Sequence, residues 1–400
     1  MSKAMIYADH AATTALSSAA AEAMQPWLHD QYGNPSTLYS LAREPRKAIV
    51  HARETIAAII GAAPEEVFFT SGGTEADNWA LKGTAFRYAQ GKQIVTSVIE
   101  HHAVLSSCAS LQHMGYHVSL LPVDRDGIVS VDALLSTMSD NTMLVSVMLA
   151  NNEIGTIEPI VQLAEVAHER GVLFHTDAVQ AVGHIPVNVN NLQVDLLSAS
   201  AHKFNGPKGI GFLYVRAGTD LLPLIDGGGQ ERGMRAGTEN VAGIVGMAAA
   251  LQEHIQHLDK ETDHLSSLAK LLVDKLRERR LDFIINGSDH RIPGNLSLSF
   301  RNADGEMLLH RLDLMGTCIS LLCPNQNTTP RGFLREPRRS SYRMFSKTPD
   351  FLAMRITPSS VIPSRYRWVI ETFSCPNNRE SVYRSRPFFR LRCAKVCRHV

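Results

Sequence analysis

The stretch VDLLSASAHKFNGPKGIG, residues 194–211, decides the fold of this chain. It opens with an apolar run that ends at Ser200, passes through His202 and Lys203, and then enters a loop rich in glycine and proline. A short apolar run bounded by such residues is typical of a buried strand. Taken alone, Lys203 would fit an ordinary surface lysine. In an α/β sheet, however, ligands bind beyond the carboxyl ends of the strands, which is where Lys203 is predicted to lie.

Six further apolar runs have the same character and are separated by segments of helix length. They span residues 66–72, 92–100, 117–124, 142–150, 171–179 and 209–216. Because they are rich in Val, Ile, Leu and Phe, they predict a mostly parallel seven-stranded sheet covered on both faces. Helices are predicted over 46–62 and 247–279, and strands of a smaller α+β unit over 283–300. We therefore predict a large domain, 15–257, and a small domain made of 1–14 and 258–320.

The composition is that of a globular protein, with 44% hydrophobic and 20% charged residues. No apolar run approaches the roughly 20 residues of a membrane span, and the first residues lack the apolar core of a secretion signal. The six cysteines show no spacing typical of a metal site. These features predict a cytoplasmic protein with reduced thiols, without a bound metal or a membrane partner.

The charge is distributed unevenly along the chain. From residue 321 onward there are 16 Lys+Arg against 4 Asp+Glu, although the whole chain carries a net charge of only +1. Such a basic tail could bind nucleic acid or an acidic partner, but it lacks the periodicity of a folded basic module, so no nucleic-acid binding is predicted. The abrupt change favours a reading-frame slip in the gene over residues 321–400. A genuinely divergent C-terminal segment is the alternative.

Polar residues also follow other predicted strands. Residues 71–77, SGGTEAD, offer glycines and a helix N-terminus, which suit a phosphate, although a turn with a threonine N-cap would look the same. Asp177 could cap a helix or pair with a protonated pyridine nitrogen. Lys203 could form an imine with an aldehyde. His101 could stack on a flat ring. Together these residues favour a site for pyridoxal 5′-phosphate (PLP).

The ordered set of motifs resembles the NifS/IscS-like cysteine desulfurases, which are fold type I PLP enzymes of the class V aminotransferase family. The resemblance covers about residues 5–320. The motifs that carry it are DHAATT (9–14), YGNPST (32–37), FTSGGTEADN (69–78), TSVIEHHAVL (96–105), ANNEIGTIEPI (150–160), HTDAVQAVGHIPV (175–187), SASAHKFNGPKGIG (198–211) and GGGQERGMRAGTEN (227–240).

The resemblance implies a role for each matching residue. Lys203 would be the Schiff-base lysine, Asp177 would bind the pyridine nitrogen, and His101 would stack on the ring. Contacts to the remaining cofactor atoms would come from Asn152 (or Asn151) and Gln180 near the phenolic oxygen, and from Gly73, Thr74, Ser200 and His202 at the phosphate. Thr238 would reach the phosphate of the neighbouring subunit, because the family forms homodimers with shared active sites. The implied reaction removes sulfur from L-cysteine, leaving L-alanine and a persulfide that is passed to a sulfur acceptor or scaffold protein for iron–sulfur cluster assembly or thiolation.

The chain departs from the family beyond residue 320. The family's catalytic cysteine lies in a motif like SSGSACxS, whereas this chain reads Leu321-Leu322-Cys323-Pro324. Cys323 is the candidate nucleophile, and Cys318, predicted to be a buried strand residue, is the alternative. Arg355 is a candidate partner for the substrate carboxylate. Two other functions stay open: a related PLP lyase that needs no cysteine nucleophile, such as a selenocysteine lyase-like enzyme, and an inactive PLP-binding homologue.

Overall fold

The computed structural model describes residues 5–301, 303–322 and 351–356. The strands are β1 Ile6–Tyr7, β2 Val67–Thr70, β3 Gln93–Ser97, β4 His117–Leu121, β5 Thr142–Ser146, β6 Leu173–Asp177, β7 Leu196–Ser200, β8 Gly211–Val215, β9 Phe283–Ile285, β10 Leu296–Arg301, β11 Thr317–Cys318, β12 Ser320–Leu322 and β13 Phe351–Ile356. The α-helices are α1 Ser18–His29, α2 Arg43–Ile60, α3 Gly73–Ala85, α4 His102–His113, α5 Val131–Thr137, α6 Ile160–Glu169, α7 Val189–Leu192, α8 Val241–Glu278 and α9 Gly305–Leu314.

The central feature is a seven-stranded sheet with the order β2-β8-β7-β6-β5-β3-β4. Each neighbouring pair in the series β7-β6-β5-β3-β4 is parallel. Strand β8 is antiparallel to both of its neighbours, β2 and β7. Each of the seven predicted apolar runs contains one of these strands. The prediction of a mostly parallel seven-stranded sheet is therefore confirmed.

Both faces of this sheet are covered by helices. Successive residues of β7 enter different cores: Leu196 packs with Trp79 of α3 and Leu111 of α4, whereas Leu197 packs with residues of α2, α6 and α8. Strands buried on both faces read as continuous apolar runs, which explains why they stand out in the sequence.

Helix ends follow ordinary capping chemistry. Helix α2 ends at Gly61, whose left-handed backbone (φ 72°) closes the last turn on the Ala57 carbonyl. Helix α8 begins where the Asn240 side chain accepts a hydrogen bond from the Gly243 N–H. The predicted helices over 46–62 and 247–279 correspond to α2 and α8. Helix α8 starts earlier than predicted because the Asn240 cap, and not the first large apolar residue, sets its beginning.

A second group of strands is built from the chain's later residues. Strands β12, β13, β10 and β9 form an antiparallel four-stranded sheet, and β1 pairs in parallel with β11. Strand β13 comes from the basic tail, and its register sets Arg355 opposite Ser297 and Ser320. The rest of the predicted tail, 323–350 and 357–400, lies outside the described residues. Among the described helices, none has the length and apolar character needed to cross a membrane.

Candidate functional site

The residues singled out in the sequence meet at the carboxyl edge of the seven-stranded sheet. Asp177 is the last residue of β6, and Lys203 follows β7 in a short 3-10 helix. His101 caps α4 just after β3, and Gly73 begins α3 just after β2. Because these strands run side by side or one strand apart, their ends bring together residues that lie far apart along the chain.

Lys203 and Gln180 converge on one backbone carbonyl. The Lys203 Nζ donates hydrogen bonds to the Ala11 oxygen at 2.5 Å and the Ala12 oxygen at 3.0 Å, and Gln180 Nε2 donates to the same Ala11 oxygen at 3.0 Å. The N-terminal segment is held there because Thr14 Oγ1 donates to the His202 carbonyl at 2.9 Å. The lysine amine and the glutamine amide are thus adjacent at the edge of the sheet.

Asp177 lies deeper, in contact with two further titratable groups. One polar atom each of Asp77, His101 and Asp177 lies within 4.8 Å of the others. Burial raises the pKa of Asp177, and the N–H of Val179, which donates to its Oδ1 at 2.9 Å, opposes that rise together with His101 and Lys203. Burial and the nearby Asp177 charge raise the pKa of Asp77 well above its usual range. Of this pair, Asp177 is the carboxylate whose charge is favoured by both His101 and Lys203.

A buried polar group lies behind Asp177. Asp77 Oδ1 is 3.7 Å from His175 Nε2, and the imidazole of His175 also contacts Ser146 Oγ at 2.8 Å and Ser198 Oγ at 3.0 Å. Burial lowers the pKa of His175 to about 3, so this ring is neutral. Sequence reasoning assigned no role to Asp77 or His175. Asp77 shares a helical face with the apolar Ala80 and Leu81, and this was the signal that could have revealed it.

His101 lies at the entrance of the site and is exposed. Its Nδ1 accepts a hydrogen bond from the Ala103 N–H at 3.1 Å, so the neutral ring carries its proton on Nε2. Although the residue as a whole is exposed, partial burial of its ring lowers the pKa of His101; the Asp177 carboxylate opposes this effect, and Lys203 adds to it. The imidazole is consequently neutral near pH 7.

The start of α3 forms a close-fitting cradle. Gly72 has φ 148°, a backbone conformation that favours glycine. A Cβ on Gly73 would lie 2.5 Å from Val179 Cγ2, and a Cβ on Gly72 would lie 3.6 Å from Ser200 Oγ. The first N–H groups of a helix have no partner within the helix, and they attract anions. A phosphate-sized anion at this terminus, an amine at Lys203 and a buried carboxylate at Asp177 match the functional groups of PLP.

The remaining predicted residues are placed less centrally. Asn151 is used in its own turn, since its Oδ1 accepts from the N–H groups of Glu153 and Ile154, whereas the Asn152 amide makes no hydrogen bond with any described residue. His202 Nδ1 contacts Thr13 Oγ1 at 3.1 Å. Thr74 is exposed in the first turn of α3, and Thr238 is exposed just before α8.

The candidate thiols differ in their surroundings. Cys323 lies outside the described residues. Cys318 is in strand β11, as predicted, but it is half-buried and not buried, because β11 pairs with β1 alone in a two-stranded sheet. Cys108 is buried in α4, and burial raises the pKa of its thiol to about 12. Of the two described cysteines, only Cys318 is within reach of solvent.

Comparisons with known proteins agree with this geometry. The family model for aminotransferase class-V matches residues 6–321. A cysteine desulfurase IscS of Dictyoglomus turgidum is 51% identical over 320 residues, which are 80% of this chain and 81% of the relative. A solved NifS-like protein superposes with a TM-score of 0.77 at 39% identity, covering 79% of this chain and 87% of the other. A structure described as SspA in complex with cysteine gives 0.71 at 35% identity, covering 79% and 88%. The chain therefore belongs to the class V aminotransferase family of PLP-dependent enzymes, among the NifS/IscS-like cysteine desulfurases.

Proposed function

We propose that this protein transfers the sulfur of L-cysteine to one of its own thiols, with PLP held at the carboxyl edge of the seven-stranded sheet. The observation that carries the proposal is the convergence of Lys203, Gln180 and Asp177 beside the glycine cradle at Gly73. The likeness to relatives named cysteine desulfurase, and to a structure with cysteine bound, supports the choice of substrate.

Each residue has a distinct task in this proposal. Bound PLP supplies an electron-withdrawing ring that makes the Cα–H of an attached amino acid more acidic. The Asp177 carboxylate would pair with the pyridine nitrogen and favour its protonated form. Lys203 Nζ anchors the cofactor and carries protons to and from the Cα atom of the substrate. Gln180, with Asn152, orients the cofactor from the phenolic-oxygen side.

His101 and the cradle complete the site. Because Nδ1 of His101 accepts from the Ala103 N–H, the neutral ring carries its proton on Nε2, which could then exchange a proton with the substrate. His101 would stack on the ring of bound PLP. Ser200, His202, Gly73 and Thr74 hold the phosphate.

The sulfur step requires a thiolate. The S–S bond forms as the Cβ–S bond of L-cysteine breaks, so one thiol and one L-cysteine give one persulfide and one L-alanine. Cys323 is the proposed nucleophile and Cys318 the alternative. Cys108 is unsuitable, because a thiol with a pKa of about 12 is almost wholly protonated near pH 7. Arg355 of β13, which lies opposite Ser297 of β10, is the proposed partner of the substrate carboxylate.

The decisive experiment measures sulfide and L-alanine from L-cysteine in the presence of a thiol reductant, with the absorbance spectrum of bound PLP recorded on the same sample. We expect Cys323→Ala to abolish sulfide release without changing the spectrum, and Cys318→Ala to leave turnover within about twofold of wild type. Unchanged turnover in Cys323→Ala would reject Cys323. A colourless protein after incubation with PLP would reject the whole proposal.

One observation favours a second function. The residues around Cys323 lack the small side chains of a mobile loop, and a lyase that acts without a cysteine nucleophile would not need them. If this protein is such a selenocysteine lyase-like enzyme, its Cys323→Ala variant should still form L-alanine from L-selenocysteine or L-cysteine sulfinate. If L-cysteine is the only one of these substrates that gives L-alanine, this second function is excluded. If the protein is yellow with bound PLP but turns over no amino acid, it is an inactive PLP-binding homologue.

We further propose a cytoplasmic homodimer in which Thr238 reaches the partner's phosphate site, and which passes its persulfide sulfur to an acceptor or scaffold protein. The surface around residues 32–39 supports this, because Leu38 is 98% exposed and Tyr32 74% exposed. Mixing inactive Lys203→Ala with inactive Thr238→Ala subunits tests the shared site. If each site uses residues of both chains, the mixed dimers regain part of the activity. No recovery in mixtures shown to exchange subunits would contradict the shared site.

A further inference from the structure

Glu75 and Arg235 form a paired contact next to the proposed phosphate cradle. Glu75 lies in the first turn of α3, beside Thr74. Arg235 Nε donates to its Oε1 at 2.8 Å, and Arg235 Nη2 donates to its Oε2 at 3.1 Å. The Glu75 side chain is only 11% exposed and that of Arg235 is 23% exposed. Such a two-point contact between a guanidinium and a carboxylate fixes both groups in one plane.

The same carboxylate shapes the loop that leads into α3. Glu75 Oε2 accepts a hydrogen bond from the Ser71 N–H at 2.8 Å, just before Gly72 turns the backbone into the helix. Burial alone would hinder ionisation of Glu75, but the hydrogen bonds from Arg235 and Ser71 outweigh it and lower its pKa. Glu75 is therefore a carboxylate at neutral pH.

The Glu75 carboxylate lies at the same helix terminus that is proposed to bind the PLP phosphate, so two negative charges would repel each other there. A carboxylate in the first turn of a helix competes with any other anion for the positive end of the helix dipole. The phosphate of PLP carries close to two negative charges and would bind at the same terminus. Without a cation on Glu75, two anionic groups would occupy the start of α3.

We propose that Arg235 is a positioning residue of the phosphate site: by neutralising Glu75 and holding it against Ser71, it leaves the start of α3 free to bind a dianionic phosphate. The inference rests on the proposed placement of PLP. It assigns a task to the arginine of residues 227–240 that pairs with Glu75, whereas Arg232 in the same segment packs over the ring of Phe68.

The test compares PLP with pyridoxal, which has the same ring and aldehyde but no phosphate. Dissociation constants for both are measured by absorbance titration of the apoprotein. In Arg235→Met we expect PLP to bind about tenfold more weakly or worse, the scale of one uncompensated charge beside an anion, and pyridoxal to change by less than about threefold. The double variant Glu75→Gln/Arg235→Met removes the uncompensated carboxylate and should return PLP binding to within about threefold of wild type.

Controls keep the outcomes separable. Arg277→Met removes an exposed arginine of α8 that pairs only loosely with Asp274, and it should leave both ligands unaffected. Arg235→Lys keeps the charge and should bind PLP more tightly than Arg235→Met, which preserves the test if the methionine variant folds poorly. If the double variant binds PLP as weakly as Arg235→Met does, or if Arg235→Met loses as much affinity for pyridoxal as for PLP, the inference about Arg235 is wrong while the proposed function stands. A wild-type protein that binds no PLP would overturn the proposed function as well.

Discussion

Glu100 gives an unusual pH dependence of stability, which tests the electrostatics behind the site. The residue is 5% exposed, and its Oε1 accepts hydrogen bonds from Ser97 Oγ at 2.6 Å and the Met148 N–H at 3.0 Å. Its Oε2 has no partner among the described residues. Burial raises the pKa of Glu100 to about 8, against the opposing hydrogen bonds from Ser97 and Met148. We predict that Glu100→Gln, which keeps the shape and removes the titration, gains stability relative to wild type as the pH rises.

The magnitude follows from proton linkage. In the unfolded chain the carboxyl group has its ordinary pKa of 4.5 and releases this proton there, whereas the folded protein keeps the proton up to about pH 8. Between these values the folded state binds more protons than the unfolded state, so the contribution of Glu100 to stability falls as pH rises. Each pH unit in this window costs about 1.4 kcal/mol. Because the group is partly ionised at both ends of this range, the free energy of unfolding of Glu100→Gln, relative to wild type, should rise by about 3.5 kcal/mol from pH 5 to pH 8.

Urea unfolding of both proteins at one protein and cofactor concentration, at pH 5, 6, 7 and 8, measures this difference. The exposed variant Glu54→Gln reports what an amide replacement does at a water-accessible position. A difference between Glu100→Gln and wild type that stays constant over the range would refute the reasoning, because it would mean that Glu100 does not titrate between the two states in this window.

Three further predictions concern other buried groups. Arg53→Ala should lower the free energy of unfolding by about 3–5 kcal/mol in urea titrations, because it leaves Glu231 buried without the partner now 2.6 Å away; a loss no larger than about 1 kcal/mol would place the pair among surface ion pairs. Cys108 should resist iodoacetamide at pH 8 in the folded protein and react only after unfolding, as read by peptide mass spectrometry, and rapid labelling in the folded state would contradict its high pKa. Gly73→Ala should weaken PLP binding by about tenfold or more, since its Cβ would collide with Val179, whereas Gly229→Ala, with open space around it, should bind normally.

Much of the fold could be predicted from hydrophobic patterning. Strands such as β5 and β7 are buried along their whole length, so each produces a recognisable apolar run. The direction of β8 could not be predicted, because it depends on pairing with β2 and β7 and leaves no trace in a local pattern. Strand β13 was also missed, since its partners Leu296–Arg301 lie about fifty residues earlier in the chain.

The site divides in the same way. Residues that end strands, such as Asp177 and Lys203, could be found because polar groups after apolar runs are conspicuous. The groups that support them could not: Glu75 and Arg235 are 160 residues apart, and nothing local marks them as a pair. Asp77 and His175 likewise come into contact only when α3 packs across the sheet, so neither residue stands out in the sequence as a partner of the other.

The pairing of β1 with β11 has a consequence for how the protein is made. Residues 6–7 leave the ribosome well before their partners Thr317 and Cys318, which follow more than three hundred residues later. The seven-stranded sheet can therefore assemble during synthesis while residues 6–7 are still without their partner strand. Contacts of such long sequence separation form slowly. The Ala11 carbonyl, which receives Lys203, lies just beyond β1. Completion of the cofactor edge is thus tied to a late folding step, and the family match, which runs from residue 6 to residue 321, extends just far enough to supply both strands.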